Sequence, residues 1–241
     1  AMTPDQISGR LNDRFRLLTG GSRTALPRQQ TLRALIDWSW DLLAADECTL
    51  LRRLAVFRGG WTLEAAETVC IACTSGQPSS LALRGDEVLD LLTHLVDKSL
   101  VVMQEEPSGP RYDMLETIRQ YALEKLVEAG ESEAARTRHL EYFLQLAESA
   151  EPYLRTRYQL DWLAWLETEH DNLHAALKWA ADGADVVPGL RLSGALARFW
   201  YLRGYWMEGR AWLRLFLERE REDSSDDLQR ARMVALAGAG W

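Results

Sequence analysis

The stretch Tyr112–Leu126, YDMLETIRQYALEKL, marks the point where the chain changes from short extended segments to helices. Upstream, residues 99–103 (SLVVM) and 111–114 (RYDM) flank the turn-forming run EEPSGP at 105–110, which predicts a β-hairpin. Downstream, apolar residues recur at spacings of three and four, which predicts a helix that ends at Gly130. These residues are Leu115, Ile118, Ala122, Leu126 and Ala129.

Four helices are predicted ahead of this hairpin. The second is expected to begin at Asp46 as N-cap, the third at Thr62 and the fourth at Asp86. The first is expected over 31–43, on an apolar stripe made by Leu32, Leu35, Ile36, Ser39, Leu42 and Leu43. Several helices followed by a β-hairpin is the order of a winged-helix domain.

The charge of the fourth helix bears on whether this domain binds DNA, because a winged helix offers the helix before its hairpin to the duplex. Residues 86–98 contain four acids (Asp86, Glu87, Asp90 and Asp97) and one base, Lys98. The predicted tip adds Glu105 and Glu106. Phosphate contacts need Lys or Arg, so the sequence argues against direct DNA binding by this chain. An autonomous DNA-binding winged-helix regulator with a helical dimerisation or sensing domain remains the alternative.

Beyond Gly130 the pattern predicts consecutive antiparallel helices with short connections. They are expected at 132–150, 158–167, 169–181, 188–202, 206–220 and from 227 onward. The last three resemble tetratricopeptide-like (TPR-like) repeats, with Gly204 at a turn and Gly209 one turn into the next helix. An array of this kind is expected to continue past Trp241.

The predicted fold class is therefore mainly α, with a winged-helix domain (helices plus a β-hairpin) followed by an antiparallel TPR-like helical repeat domain. The expected divisions are an N-terminal helical segment and connector at 1–30, the winged helix at 31–115 and the repeats at 116–241. A short helix is expected over 4–18 within the first of these.

Bulk composition narrows the functional class. The 241 residues carry a net charge of −8, which argues against general affinity for nucleic-acid backbones or anionic membranes. No apolar run approaches the roughly 18 residues of a membrane span. Three cysteines do not suggest a disulfide framework, so a cytoplasmic location is expected.

Three sequence motifs could form chemical sites, and none of them is complete. Cys70 and Cys73 form a CxxC, but no second pair completes a zinc site. His170–His174 reads HDNLH, which differs from the zinc-protease pattern HExxH at Asp171 and has no evident third ligand. No GxxxxGK[ST] loop occurs for phosphate binding. The chain is therefore expected to be non-enzymatic, with no catalytic residue, no metal and no cofactor of its own.

An aromatic cluster near the end of the chain is the candidate partner or ligand surface. Trp and Tyr at helical spacing usually pack between helices, but Trp, Tyr and Arg are also the favoured residues of binding hot spots. The predicted surface consists of Trp200, Tyr201, Arg203, Tyr205, Trp206, Arg210 and Trp212.

Several stretches resemble the bacterial signal-transduction ATPases with numerous domains (STAND class), specifically large transcriptional regulators with an NB-ARC-like ATPase. They are LNDRFRLLTGGSRTALPRQQTLRALIDWSWDLL, LLRRLAVFRGGWTLEAAETVC, VLDLLTHLVDKSLVV, YDMLETIRQYALEKL and EHDNLHAALKWA. The resemblance implies an ATPase domain upstream in the same chain, with ATP or ADP bound there. It also implies a regulatory winged helix that docks on that domain, and helical repeats that receive an inducer or protein partner.

The same resemblance assigns a role to Met114, Leu115 and Glu116. In NB-ARC relatives a Met-His-Asp motif lies where the winged helix meets the next helix, and its His approaches bound ADP. Leu115 stands in the place of that His and cannot donate a hydrogen bond to a phosphate. The resemblance therefore implies a regulatory joint that couples nucleotide state to the repeats by packing, with Glu116 as the acidic member that fixes local geometry.

Overall fold

The computed structural model of the chain describes residues 27–71, 83–106, 109–183 and 185–219, with side chains from residue 33 onward. Four predicted features lie outside these ranges. They are the helix at 4–18, Cys73 with the loop that follows it, the hairpin tip at 107–108, and the helix expected from 227.

The described residues form ten α-helices, one hairpin and one short 3₁₀ helix. The order is α1 (Pro27–Asp41), α2 (Ala45–Leu54), α3 (Leu63–Cys70), α4 (Gly85–Asp97), β1 (Val102–Glu106), β2 (Gly109–Asp113), α5 (Glu116–Glu128), α6 (Ser132–Ala150), the 3₁₀ helix (Glu151–Arg155), α7 (Gln159–Thr168), α8 (His170–Asp182), α9 (Val187–Arg203) and α10 (Trp206–Arg219). The mainly α fold is confirmed, and α6 to α10 begin and end within one residue of the prediction.

Helices α2, α3 and α4 together with the hairpin have the arrangement of a winged helix, and we refer to them as the winged-helix part. Strands β1 and β2 pair antiparallel, with Met103 opposite Tyr112. The prediction missed a third strand position at Trp61, whose backbone exchanges two 2.8 Å hydrogen bonds with Tyr112. Because Trp61 is an isolated bridge after a glycine pair, it has no alternating pattern to reveal it.

The predicted helix starts are correct at one of three positions. The Thr62 side chain accepts a hydrogen bond from the Ala65 N–H at 3.2 Å, as an N-cap should. Asp46 and Asp86 are not N-caps, since α2 is preceded by Ala44 and α4 by Arg84. At both of these starts a Glu side chain three residues after the N-cap accepts a hydrogen bond from the N-cap backbone N–H. The capping carboxylate therefore lies in the first turn of the helix and not at the N-cap position.

The apolar stripe predicted for α1 is wrong in part. Ile36 is buried, but Leu35 and Leu42 are 53% and 60% exposed. The helix is rotated because it packs on α5 through Trp40, whose ring meets Tyr121 edge-on at 5.7 Å. The stripe on α5 also differs, since Leu115 and Ala129 at its ends are exposed.

Helix α6 is the centre of the remaining structure, which we call the helical part (α6 to α10). It packs against α8 and α9 on one side and against α3 of the winged-helix part on the other. Phe143 of α6 and Phe57 of the winged-helix part are both buried in one continuous hydrophobic core. The division at Leu115 and Glu116 therefore remains a prediction about domains within one packed body.

Helices α9 and α10 approach each other closely at two glycines. A Cβ built on Gly209 would lie 2.7 Å from the Trp200 ring, and one built on Gly189 would lie 2.2 Å from the Phe216 ring. Both aromatic rings are buried, so they have little room to move. Side chains larger than hydrogen are excluded at these positions because the interior is already close-packed.

We predict that Gly189→Ala lowers the free energy of unfolding by about 1–3 kcal/mol, because the added methyl group would overlap the Phe216 ring. Urea denaturation followed by circular dichroism measures this change. Gly183→Ala is the matched control, because its Cβ would meet only backbone oxygens at 3.5 and 3.6 Å. Equal stability of both variants and the parent would contradict the close approach.

Candidate functional site

The outward face of α4 is the surface that a winged helix would present to DNA. Val88, Leu92 and Leu95 are buried in the core, so the opposite residues face solvent. Those exposed residues are Asp86, Glu87, Leu89, Asp90, Thr93, His94 and Asp97. Four carboxylates therefore stand on the exposed face, and Glu105 of β1 is exposed as well.

The nearest bases do not reverse this charge. Lys98 Nζ lies 2.5 Å from Glu47 Oε2, and Arg84 Nη2 lies 3.0 Å from Asp86 Oδ2. Burial alone would raise the pKa of Glu47, but hydrogen bonds from Lys98 and the Ala44 N–H hold it below its usual range. Lys98 is therefore already paired with a carboxylate that stays ionised at neutral pH.

The predicted regulatory joint spans a buried, an exposed and a paired residue. Met114 is 5% exposed and belongs to the core, whereas Leu115 is 62% exposed and precedes α5. Both Glu116 carboxylate oxygens accept from Arg119 at 2.7 Å, and Arg119 also donates to the Ala55 carbonyl oxygen at 3.2 Å. Glu116 thus orients an arginine that holds the end of α2. The role of Met114, Leu115 and Glu116 as a regulatory joint stays a prediction.

Arg111 of β2 connects the β-hairpin to the helical part. Its Nη1 donates to Glu169 Oε1 at 2.5 Å, and its Nη2 donates to the carbonyl oxygen of Gly59 at 2.9 Å. Both ionic side chains are buried, at 8% and 5% exposure. A Cβ at Gly60 would lie 2.7 Å from the Tyr112 carbonyl oxygen, so the loop can reach this position only with glycine.

Asn172 of α8 completes this buried network. Its Nδ2 donates to Glu169 Oε2 at 2.8 Å and to the Gly60 carbonyl oxygen at 2.9 Å. Its Oδ1 accepts from the Arg58 N–H at 2.7 Å and lies 3.3 Å from His139 Nε2. We call Arg111, Glu169, Asn172 and His139 the interdomain network, since they join the loop at 58–60 and β2 to α6 and α8.

The sequence reasoning missed the interdomain network because its members are scattered over about sixty positions. Glu169 directly precedes the HDNLH run at 170–174 and Asn172 lies inside it, but as a sequence this run resembles only an incomplete metal-binding pattern. No periodicity marks a buried ion pair between distant elements. The only local signal is that polar residues interrupt otherwise apolar helix faces, as His139 does beside Leu140 and Phe143.

A second ionic contact joins α2 to the start of α6. Glu131 accepts hydrogen bonds from Arg52 at 2.9 Å and from Arg53 at 2.8 Å. Burial raises the pKa of Glu131, but the two guanidinium groups outweigh it and lower the pKa to about 2. The residue therefore remains charged across the physiological range and holds both arginines in place.

The predicted aromatic surface is divided by the structure. Trp200 is 1% exposed and packs on Gly209, so it does not belong to an exposed surface. Tyr205 and Trp212 are half-buried against the two histidines of α8. The exposed members of the predicted set are Tyr201, Arg203, Trp206 and Arg210.

The residues of the HDNLH run and Cys70 of the CxxC do not form a metal site among the described residues. His170 Nε2 lies 3.3 Å from Glu208 Oε2, and the His174 ring meets Trp212 at 5.4 Å. Cys70 is fully buried, and this burial raises the pKa of its thiol to about 12. Within the described residues no group of three or more His, Cys, Asp or Glu side chains is placed to hold a metal ion.

Residues 43–127 match the family model of the winged helix-turn-helix domain. This segment has the fold of a winged-helix domain. The match covers α2, α3, α4, both strands and almost all of α5, so it agrees with the observed order of elements. The domain therefore includes the missed strand position at Trp61.

Some of the curated relatives carry names from transcription. Proteins of Mycobacterium tuberculosis and Mycobacterium bovis, each named "Putative HTH-type transcriptional regulator", are 43% identical over 221 residues, which cover 92% of this chain and 24% of the relative. An "Uncharacterized protein" of Mycobacterium tuberculosis is 39% identical over 144 residues, covering 60% of this chain and 35% of that protein. The chain thus spans about a quarter of the length of the first relatives. No solved structure matches it.

The match over 221 residues extends beyond the winged helix into the helical part, so the similarity is not confined to the winged helix-turn-helix domain.

None of the helices in the described ranges has the length and apolar character needed to cross a membrane.

We predict that Arg111→Met lowers the free energy of unfolding by about 3–5 kcal/mol, because Glu169 would be left as a buried carboxylate without its cation. Urea denaturation measures this loss. The double variant Arg111→Met with Glu169→Met removes both charges and is expected to recover a large part of it. Additive losses in the double variant would show that the pair is not coupled.

We predict an acid-sensitive stability that depends on His139. Burial lowers its pKa to about 4 although the hydrogen bond to Asn172 raises it, whereas the unfolded chain has the ordinary value of 6.5. The unfolded state therefore binds more protons between these values, so stability falls as the pH drops from 6.5 towards 4. Between pH 7.5 and 5 this group accounts for a loss of about 2 kcal/mol.

The uncharged variant His139→Leu isolates this contribution. Its unfolding free energy is expected to fall by about 2 kcal/mol less than that of the parent chain over the same pH interval. The opposite pH dependence of His170, whose pKa is raised by its hydrogen bond with Glu208, is common to both proteins and cancels in the comparison. Identical pH profiles would show that His139 is not held neutral.

Proposed function

We propose that this chain is the winged-helix and helical part of a bacterial transcriptional regulator, and that its winged helix acts through protein contacts. The names of the relatives and the winged helix-turn-helix match support the regulatory role. The exposed acidic face of α4 supports the protein contact, and it is the observation that carries the proposal. Such a regulator works in the bacterial cytoplasm, and we propose that location.

The electrostatic reason is the sign of the charge at the surface that would meet DNA. Binding to a duplex releases counterions in proportion to the phosphates that the protein neutralises, and this requires Lys or Arg on the approaching face. On α4 the exposed charges are carboxylates, and Arg84 is engaged by Asp86. The approach of a duplex to this face would therefore be electrostatically unfavourable, because like charges would be brought together.

A partner protein is better suited to this surface and to α1. Leu89 is 46% exposed between the carboxylates of α4. Leu35 and Trp38 of α1, and Leu42 directly after it, are each more than half exposed. Exposed apolar side chains rimmed by charge are typical of protein interaction sites. The outward face of α4 and the exposed side of α1 are therefore two candidate surfaces for protein contact.

The finer proposal is that the partner is a STAND-type ATPase domain upstream in the same protein, with ATP or ADP bound there. The resemblance to NB-ARC-like regulators supports it, and so does the paired Glu116 at the position of the acidic motif residue. On this proposal the helical part, as a TPR-like platform, receives an inducer or protein partner. A full-length parent protein purified without bound nucleotide, and unable to bind added ATP, would contradict it.

The second candidate is a winged helix that binds DNA itself. The family description and the names of the relatives favour this function, and they lie closer to it than to coupling with an ATPase. The two candidates differ in one measurable quantity, which is the salt-dependent affinity of this chain for duplex DNA.

Fluorescence anisotropy with a pool of random-sequence duplexes separates the two functions. At about 150 mM salt we expect no binding by the parent chain at concentrations where non-specific DNA-binding proteins, with Kd of roughly 10⁻⁴ to 10⁻⁶ M, begin to associate. Salt-dependent binding, with enrichment of a defined sequence from the pool, would instead establish the DNA-binding function.

A charge-reversed variant provides the matched control. Asp86→Lys, Asp90→Lys and Asp97→Lys together place three bases on the exposed face of α4. We expect this variant to bind the duplex pool with an affinity that falls as salt rises. If it also fails to bind, the acidic charge is not what excludes DNA, and the argument from charge is wrong.

A further inference from the structure

The seam between α8 and α10 contains two histidines that are one helical turn apart. His170 and His174 of α8 face Glu208 and Trp212, which are also one turn apart on α10. His170 Nε2 lies 3.3 Å from Glu208 Oε2, and the His174 ring meets the Trp212 ring edge-on, with centroids 5.4 Å apart. Titratable side chains therefore take part in joining the two helices.

His170 is enclosed in this seam. Its imidazole stacks on the Tyr205 ring with centroids 4.8 Å apart, and the Tyr205 hydroxyl donates to Glu167 of α7. The side chains of His170 and Glu208 are 25% and 26% exposed, and the Nε2 atom of His170 is excluded from solvent. Because water does not reach this nitrogen, its charge has to be balanced by the carboxylate beside it.

The carboxylates around His170 favour the protonated imidazole. Glu208 of α10, Glu167 of α7 and the neighbouring Asp171 all stabilise its positive charge. Of these three, Glu208 is the one that lies on α10. Protonation of His170 therefore strengthens the attachment of α10 in particular.

Glu167 and Glu208 differ in their principal partners. Glu167 lies 3.0 Å from Arg203 Nε, so its charge is shared with a guanidinium that stays protonated. Glu208 is paired with His170, and the His174 imidazole also acts on its carboxylate. The main partner of Glu208 is therefore a group that titrates near neutral pH.

The pairing shifts the pKa of both partners. Contact with Glu208 raises the pKa of His170 above its ordinary value of 6.5, although burial lowers it, and the same contact lowers the pKa of Glu208 below 4.5. The stabilisation from the raised histidine pKa is complete below pH 6.5 and is lost as the pH rises through the pKa of the folded state. The stabilisation from the lowered carboxylate pKa is complete above pH 4.5. The attraction is therefore strongest between these two values and weakens on the alkaline side.

Other contacts of α10 are insensitive to pH in this range. Leu213 and Phe216 are buried apolar residues. At the far end of the helix, the Arg219 guanidinium donates to the carbonyl oxygens of Ala181 and Gly183. Because arginine stays protonated, this end is attached on both sides of neutrality, whereas the end that carries Glu208 is attached to a histidine.

We propose that α8 and α10 form a pH-sensitive clasp, in which the His170 imidazolium holds the start of α10 through Glu208 and releases it on losing its proton. The released end carries Trp206 and Met207, which are exposed on the outside of the helical part. The clasp therefore loosens this exposed pair as the pH rises above 6.5, while the far end of α10 stays in place. This inference does not depend on the proposed function.

Hydrogen exchange followed residue by residue by NMR tests the clasp in the parent chain at about pH 6 and pH 8, with rates corrected for the pH dependence of chemical exchange. Amides 209–213 are expected to lose protection by about two- to fivefold at the higher pH, the range typical of a partly exposed ion pair. Amides 216–219 and those of α9 are expected to keep theirs. The midpoint of the change should coincide with the titration of the His170 ring, followed by its own resonances.

Glu208→Gln removes the charge of the carboxylate and retains its shape. In this variant, amides 209–213 are expected to be as weakly protected at pH 6 as those of the parent chain at pH 8, and the pKa of His170 is expected to fall. Glu218→Gln is the matched control, since Glu218 also lies on α10 but pairs with Arg214 at 2.8 Å. This variant should keep the pH dependence of the parent chain.

Three results would overturn the proposal. They are equal protection of 209–213 at both pH values in the parent chain, a pH dependence that persists in Glu208→Gln, and a loss of protection that is uniform across α9 and α10. The last would assign the change to unfolding of the helical part as a whole. The first measurement needs no substitution, so it decides the question even if Glu208→Gln does not fold.

Discussion

The ion pair between Arg111 and Glu169, with Asn172 beside it, is the contact on which the arrangement of this protein depends. An ionic pair removed from water is costly unless its remaining hydrogen-bonding groups are satisfied. Here Arg111 also donates to backbone oxygens of the loop at 58–60, and Glu169 also accepts from Asn172. These hydrogen bonds hold the hairpin and the loop at 58–60 at a defined distance from the start of α8.

This arrangement determines which surfaces remain available for partners. The helical part covers the inner side of the winged helix through α3 and α6, while the outward face of α4 and one side of α1 stay in solvent. The face left open for a duplex is the acidic one. A winged helix-turn-helix fold and a surface suited to DNA are therefore separate properties, and only the first follows from the order of the elements.

Sequence periodicity predicted the helices of this protein well, because amphipathic patterns and Gly stops are local signals. It assigned α6 as Ser132–Ala150 without error and placed the β-hairpin correctly in the chain. It was less successful where tertiary packing decides the outcome. The rotation of α1, for example, is set by the contact between Trp40 and Tyr121, which are about eighty residues apart in sequence.

The candidate sites show the same division. The acidity of α4 could be read from Asp86, Glu87, Asp90 and Asp97, because exposed charges need no partner to be recognised. The aromatic surface could not be predicted correctly, since Trp200 and Trp206 have the same side chain and only packing against Gly209 buries one of them. The interdomain network gave only a weak local signal, because its residues lie far apart in the sequence, on β2, on α6 and at the start of α8.

The continuous core described above has a mechanical consequence. Two bodies that share Phe57, Phe143 and a buried ion pair have no free hinge between them, even though Leu115 at their junction is exposed. A force applied at the far end of the helices would therefore turn the wing by the same angle. The winged-helix part and the helical part are therefore expected to move together as one rigid unit.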